Sequence, residues 1–152
     1  MAKYLVTGGA GFIGSHLCAR LCSDGHDVRA LDDLSSGHRA NLDGVDVDLI
    51  VGDLRDQEAL ECAMEGADYV LHHAAIASVQ YSVEHPLQEQ DVNVVGTLRL
   101  LEAARVAGVK RVVFAASAAA YGADETVPKQ ESMPALPISP YGLSKVSGEH
   151  YC

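Results

Sequence analysis

Basic side chains are scarce in this sequence. Eleven Lys and Arg stand against 21 Asp and Glu in 152 residues, a formal charge of -10, which argues against a chain built to hold nucleic acid or an anionic membrane by charge. Long apolar runs are missing as well. No stretch reaches the ~18 residues of a membrane span, and Met1-Ala2-Lys3 passes straight into Tyr4-Leu5-Val6 without a signal-peptide core. The expectation is a soluble, cytoplasmic protein without membrane or nucleic-acid partners. Cysteine is sparse: Cys18, Cys22, Cys62 and Cys152 form no C-x-x-C pair, and a chain with 48% hydrophobic residues closes a core without disulfides. Repeats, low-complexity tracts and linkers are absent, so residues 1–152 read as one unit.

What is present is a βαβα rhythm, with short apolar runs alternating with amphipathic ones and Gly or Asp at nearly every junction. Strands are expected at 4–6, 27–31, 45–51, 69–71 and 111–116, the last buried because it is almost continuously apolar. Helices are expected from Ile13 through Leu17 and Leu21 until stopped near Gly25, from about Asp56 to Glu65 with Gly66 ending it, and from Pro86 until Gly108 ends it, the last with Val94, Val95, Leu98 and Leu101 on one face. Residues 118–140 read as a long loop with at most one short element. Ser139-Pro140 then starts a helix within which the chain stops, so the sequence looks C-terminally truncated. The fold class is a doubly wound parallel α/β sheet, a Rossmann fold.

Thr7-Gly8-Gly9-Ala10-Gly11-Phe12-Ile13-Gly14 lies between a strand and a helix. A pyrophosphate needs bare backbone at close range and the free N–H groups of a helix N-terminus, which Gly8, Gly11 and Gly14 with Phe12 and Ile13 supply. Asp32, 18 residues after Gly14 and at a strand end, can accept from both hydroxyls of an adenosine ribose and would repel a 2′-phosphate, favouring NAD over NADP. Asp33 competes for the same role, with Leu34 and Gly37 beside it. Asp53-Leu54 and Ala74-Ala75-Ile76 follow the third and fourth strands, where ligands of open α/β sheets bind. Asp53 reads equally well as a turn carboxylate.

Tyr141 and Lys145 are one helical turn apart. A tyrosine acting as a base near neutrality must fall from its ordinary pKa near 10, which takes about 4 kcal/mol of preferential phenolate stabilisation. A lysine ammonium and a bound nicotinamide cation are the sources. Ser117, at the expected end of the fifth strand, can orient a substrate hydroxyl toward Tyr141. His72 and His73 alternate across a strand and lack a third ligand, so no metal site is expected. Cys18 and Cys22 read as core, and Glu58, Glu61 and Glu65 as a solvated face.

Together Thr7–Gly14, Gly52-Asp-Leu-Arg-Asp56, His73-Ala-Ala75, Asn93-Val-Val-Gly96, Ser117 through Tyr121-Gly122 and Tyr141-x-x-x-Lys145 resemble the extended short-chain dehydrogenase/reductase family over essentially the whole chain. The likeness is nearest to its UDP-glucose 4-epimerase branch. It implies NAD as cofactor and a sugar nucleotide as substrate, with Asn93, Tyr141 and Lys145 added to the cofactor contacts. Ser117 and Tyr141 would handle the C4 hydroxyl proton while Lys145 holds the nicotinamide ribose. Hydride leaves C4 for NAD, the 4-keto sugar turns, and hydride returns to the other face. The substrate domain of such enzymes is missing here, so the chain alone is expected to be inactive, and homodimerisation is implied through the long helix and the Tyr141 helix. Ala118 and Ala119 replace the acids that related dehydratases and decarboxylases carry, and Ala77 stands where many epimerases have lysine. A reductase of the same family and a non-catalytic NAD-binding module are the other readings.

Overall fold

The structure, a computed structural model, describes residues 1–152. It divides into two compact units, Met1–Ala74 with Arg99–Ala115, and Ala75–Leu98 with Ala116–Cys152. The first unit carries a five-stranded parallel sheet: β1 (Lys3–Thr7), β2 (Asp27–Asp32), β3 (Asp48–Val51), β4 (Tyr69–His72) and β5 (Arg111–Phe114), in the order β3-β2-β1-β4-β5. Val6 pairs with Ala30 on one side and Leu71 on the other. The order in which the chain adds strands reverses between β1 and β4, the crevice where open α/β sheets place ligands.

Alternation along the strands gives the sheet two apolar faces. Leu5, Leu31 and Val70 pack with Leu60 and Met64 of α2 (Gln57–Met64) and Leu100 and Ala104 of α5 (Gly96–Ala107). Val6, Val28 and Ala30 pack on the other face with Cys18 of α1 (Phe12–Ser23) and with Leu42. Leu5, Leu60 and Leu100 are wholly buried, each stabilising the fold by about 1.5–3 kcal/mol. α1 stops at Gly25, whose φ of +81° suits glycine, and Asp56 caps α2 by accepting from Glu58 and Ala59 N–H.

Three expectations need correction. The third strand begins only at Asp48, because Val45 and Val47 are tied into turns. The fifth ends at Phe114, two residues short of the expected run, and leaves Val113 half exposed. The long helix is three pieces: α4 (Pro86–Gln90), a π-helical turn (Asp91–Val95) and α5. The wider turn resets the helical register. Asn93, Thr97, Leu100 and Ala104 are therefore buried, while Val95 and Leu98 of the predicted face lie exposed.

The second unit also holds α3 (Val79–Glu84) and α6 (Pro140–Tyr151). Within 118–140 one short element forms, a 3-10 turn over Ala118–Tyr121. Ser139 caps α6 through Gly142 N–H, with Pro140 in the first turn. α6 packs on α3, α4, the π-helical turn and the Ala118–Tyr121 turn. No helix is long and apolar enough to cross a membrane.

Candidate active site

The predicted glycines of the first unit have separate duties. Gly8 has φ +68°, and a methyl there would stand 2.8 Å from Ala74 N. At Gly14 a methyl would stand 2.0 Å from Gly8 O, so this glycine lets α1 lie against the loop. Gly11 meets only Gly8 O, at 3.2 Å, and caps α1 in extended geometry with no side-chain cap and no acid in the first turn. The first intrahelical N–H partner of Gly11 O is Ser15. The N–H groups of Phe12, Ile13 and Gly14 thus head the helix without intrahelical acceptors, beside exposed Phe12 and Ile13 side chains. A row of free N–H groups at a helix N-terminus is a geometry that can hold an anion, a cradle in outline.

Asp32 closes the cradle on the β2 side. Its buried carboxylate accepts from Ala10 N–H and Leu34 N–H, each at 2.9 Å, and a methyl at Gly37 would press on it at 2.8 Å. Leu34 holds φ +59°, an uncommon left-handed conformation outside glycine. Asp33 points elsewhere: exposed, it accepts from Ser35 N–H and Oγ–H. The two aspartates that sequence left in competition differ in burial and in partners.

Asp53 has a partner of its own. Arg55 binds both carboxylate oxygens, at 2.9 and 2.6 Å, and its N–H donates too, holding the Asp53 carboxyl below the usual range. The turn-carboxylate reading describes this geometry. Leu54 is core, buried in the α2 face of the sheet. Thr7, quoted only as part of a motif, has a distinct function: its buried Oγ1 accepts from His73 and Ala74 N–H and lies 2.7 Å from His72 Nδ1. It ties β1 to β4 at the switch point. His72 is buried against Phe114. Cys18 is core, its thiol pushed up to about 12 by burial, and Glu58, Glu61 and Glu65 are exposed.

Ser117, Tyr141 and Lys145 all fall in the second unit. Ser117 lies three residues beyond β5, where its Oγ caps the Ala118–Tyr121 turn through Ala119 N–H. That turn lies on the first turn of α6, and a methyl at Gly142 would stand 2.7 Å from Ala119 O. Tyr141 is half-buried; Lys145 is buried, with Nζ 5.9 Å from the Tyr141 ring centroid. Burial brings the Lys145 ammonium down to about 8, against an opposing pull from Glu89.

A lysine lowered by burial destabilises the folded chain wherever it is charged. Below about pH 8 the penalty is complete; between about 8 and 10.5 the unfolded chain keeps the proton that the folded chain releases, so stability rises with pH. Compared with Lys145→Met, the wild-type chain should gain about 3 kcal/mol across that window in urea melts. Parallel stability curves for the two would contradict it.

Asn93 takes partners inside the protein. Its Oδ1 accepts from Ile76 N–H at 2.8 Å, and its amide donates to Ile76 O and to Glu89. This is a bracing role for a residue expected at the cofactor, and it sets the backbone after Ala74 and Ala75. Glu89 and Ser144 were missed by sequence reasoning, since a lone Glu in a helix reads as solvated.

The first unit thus holds a glycine-lined helix N-terminus beside a buried carboxylate, and the second a tyrosine one turn from a buried lysine, on a doubly wound parallel α/β fold. The chain belongs to the NAD dependent epimerase/dehydratase family, whose pattern residues 4–152 match. It is 46% identical to the UDP-glucose 4-epimerase of Streptomyces lividans over 151 residues, 97% of this chain and 46% of that one. Among solved structures it resembles the Thermus thermophilus UDP-glucose 4-epimerase in complex with NAD, at TM-score 0.91 and 44% identity over 98% of this chain and 49% of that one. It also resembles the UDP-N-acetylglucosamine 4-epimerase of Methanobrevibacter ruminantium in complex with UDP-N-acetylmuramic acid, at TM-score 0.92 and 40% identity over 99% and 49%. The chain spans about half the length of these relatives.

Proposed function

We propose that the chain is the NAD-binding part of a sugar-nucleotide 4-epimerase of the UDP-glucose/UDP-galactose type, working in the cytoplasm. The observation that carries this is the Tyr141–Lys145 pair on α6, packed against the turn that Ser117 caps. Phe12, Ile13 and Gly14 N–H would hold the pyrophosphate, Asp32 the adenosine ribose, and Lys145 the nicotinamide ribose. When bound, NAD supplies a hydride acceptor that returns the hydride within the same turnover. Tyr141 Oη takes the C4 hydroxyl proton and gives it back, Ser117 Oγ orients that hydroxyl, and the Lys145 ammonium favours the phenolate. Ala118 and Ala119 transfer no proton, which disfavours elimination and decarboxylation. A homodimer fits the exposed Leu87, Val95, Leu98 and Leu143 on the helices implied for it; sedimentation reads it out.

Calorimetric titration with NAD and NADP tests the cofactor assignment. NAD should bind more tightly than NADP, and Asp32→Ala should weaken NAD about 10- to 100-fold, the worth of charge-assisted hydrogen bonds to two hydroxyls. Equal affinity of the folded variant would remove Asp32 from the site. For the reaction, epimerisation without net NADH is expected of the complete enzyme, and NADH accumulation would favour the reductase reading.

A further inference from the structure

Glu89 is wholly buried on a five-residue helix, an expensive place for a carboxylate unless its partners require it. Its Oε1 accepts from Ser144 Oγ at 2.7 Å and from the Asn93 amide; Oε2 accepts from Gln90 Nε2 at 2.7 Å. Ser144 Oγ also lies 2.9 Å from Tyr141 O, but a hydroxyl has one proton, and the shorter contact takes it. Gln90 Nε2 reaches Pro140 O at 3.0 Å. α4 therefore grips α6 twice, at its first turn through Gln90 and one turn on through Glu89.

The second grip falls between the two reacting residues. At about 100° per residue, Ser144 lies about 60° from Tyr141 and about 100° from Lys145 around the helix axis, so fixing Ser144 fixes the direction of both. Titratable groups on or between the elements packed against α6 are Tyr81, Glu84, His85, Glu89, Asp91 and Tyr121, and among them Glu89 alone is buried. Its bond with Ser144 Oγ brings it to the residue next to Lys145.

We propose that Glu89 is a positioning residue for this site: through its bond with Ser144 Oγ it sets the rotation of α6 and brings its own side chain to the residue next to Lys145. The inference rests on the reading of Tyr141 and Lys145 given above. A hydrophobic residue would fill the same volume; only a carboxylate accepts three donors and opposes an ammonium.

The test uses the 152-residue chain with 13C-labelled lysine, following the Lys145 Cε resonance against pH, with amide exchange of α6 alongside. Glu89→Gln keeps the shape and removes the charge, so the Lys145 midpoint should fall by at least half a pH unit, and Glu89→Asp should restore part of it. Ser144→Ala should leave that midpoint in place while amide exchange over residues 143–147 quickens at least 10-fold. Midpoint and exchange both at wild-type values in folded variants would overturn the proposal. If Glu89→Gln does not fold, Ser144→Ala and Glu89→Asp decide alone: exchange unchanged in the first overturns it. Neither readout needs NAD or substrate, so the two failures are distinguishable: an inactive complete enzyme sinks the epimerase reading, whereas wild-type midpoint and exchange in the folded variants sink this inference.

Discussion

Replacing Tyr141 by phenylalanine should lower epimerase turnover of the complete enzyme about 10²- to 10⁴-fold, the usual worth of a positioned acid–base group. NAD titration of the chain should stay within about twofold. The variant deletes one oxygen and keeps the ring that Lys145 Nζ approaches at 5.9 Å. α6 keeps its cap at Ser139 and its grips at Pro140 and Ser144. Ser117 cannot take over as base, because a serine hydroxyl is far less acidic than a phenol, and its neighbours Ala118 and Ala119 carry no titratable group. The variant leaves Asp32, the glycine turn and the Lys145 side chain in place, so cofactor binding is not expected to follow turnover down. Turnover retained in Tyr141→Phe would move the proton to another group and remove the Tyr141–Lys145 pair from the chemistry. A wild-type complete enzyme that binds NAD and turns over no sugar nucleotide would instead favour the non-catalytic module.

The sheet and the cradle were legible because local chemistry dictates them. Alternating apolar strands punctuated by glycine form a parallel sheet in nearly any context, and Gly8, Gly11 and Gly14 mark a backbone that side chains would obstruct. That Tyr141 and Lys145 share one side of a helix was legible from their spacing, but what they do there was suggested only by their place after Ser117 and by the family likeness. The burial of Lys145 was not legible, because burial depends on which elements cover α6. The same holds for Glu89, whose partners Ser144 and Asn93 lie 55 and 4 residues away. The π-helical turn at Asp91–Val95 hid in plain sequence: one wider turn exchanges an apolar face for Asn93 and Thr97. Nothing in the periodicity of Val94, Val95, Leu98 and Leu101 announces it. Asp32 and Asp33 needed the backbone too, as the two carboxylates differ only in which way the chain turns after β2.

Gly14→Ala and Gly11→Ala should part company, and the difference assigns each glycine its work. At Gly14 the new carbon would lie 2.0 Å from Gly8 O, 2.8 Å from Gly8 C and 2.8 Å from Gly9 Cα. All three are backbone, so no rotamer relieves the overlap and α1 must move off the loop. Overpacking of this kind costs about 3 kcal/mol or more, which for a chain of this length lowers Tm by about 6–12 °C. NAD binding goes with it, since the helix N-terminus leaves the Asp32 side of the cradle. At Gly11, with φ -76° and ψ 177°, alanine is conformationally free, and its methyl meets only Gly8 O at 3.2 Å. Melting should shift by a few degrees at most. The methyl nevertheless stands at the mouth of the helix N-terminus, where a pyrophosphate must touch bare N–H groups, so NAD affinity should fall at least 10-fold in a folded chain. Equal NAD affinity in Gly11→Ala and wild type would mean that the α1 N-terminus is not where the cofactor's anion binds. Wild-type melting in Gly14→Ala would mean that the loop and helix are not in the contact described.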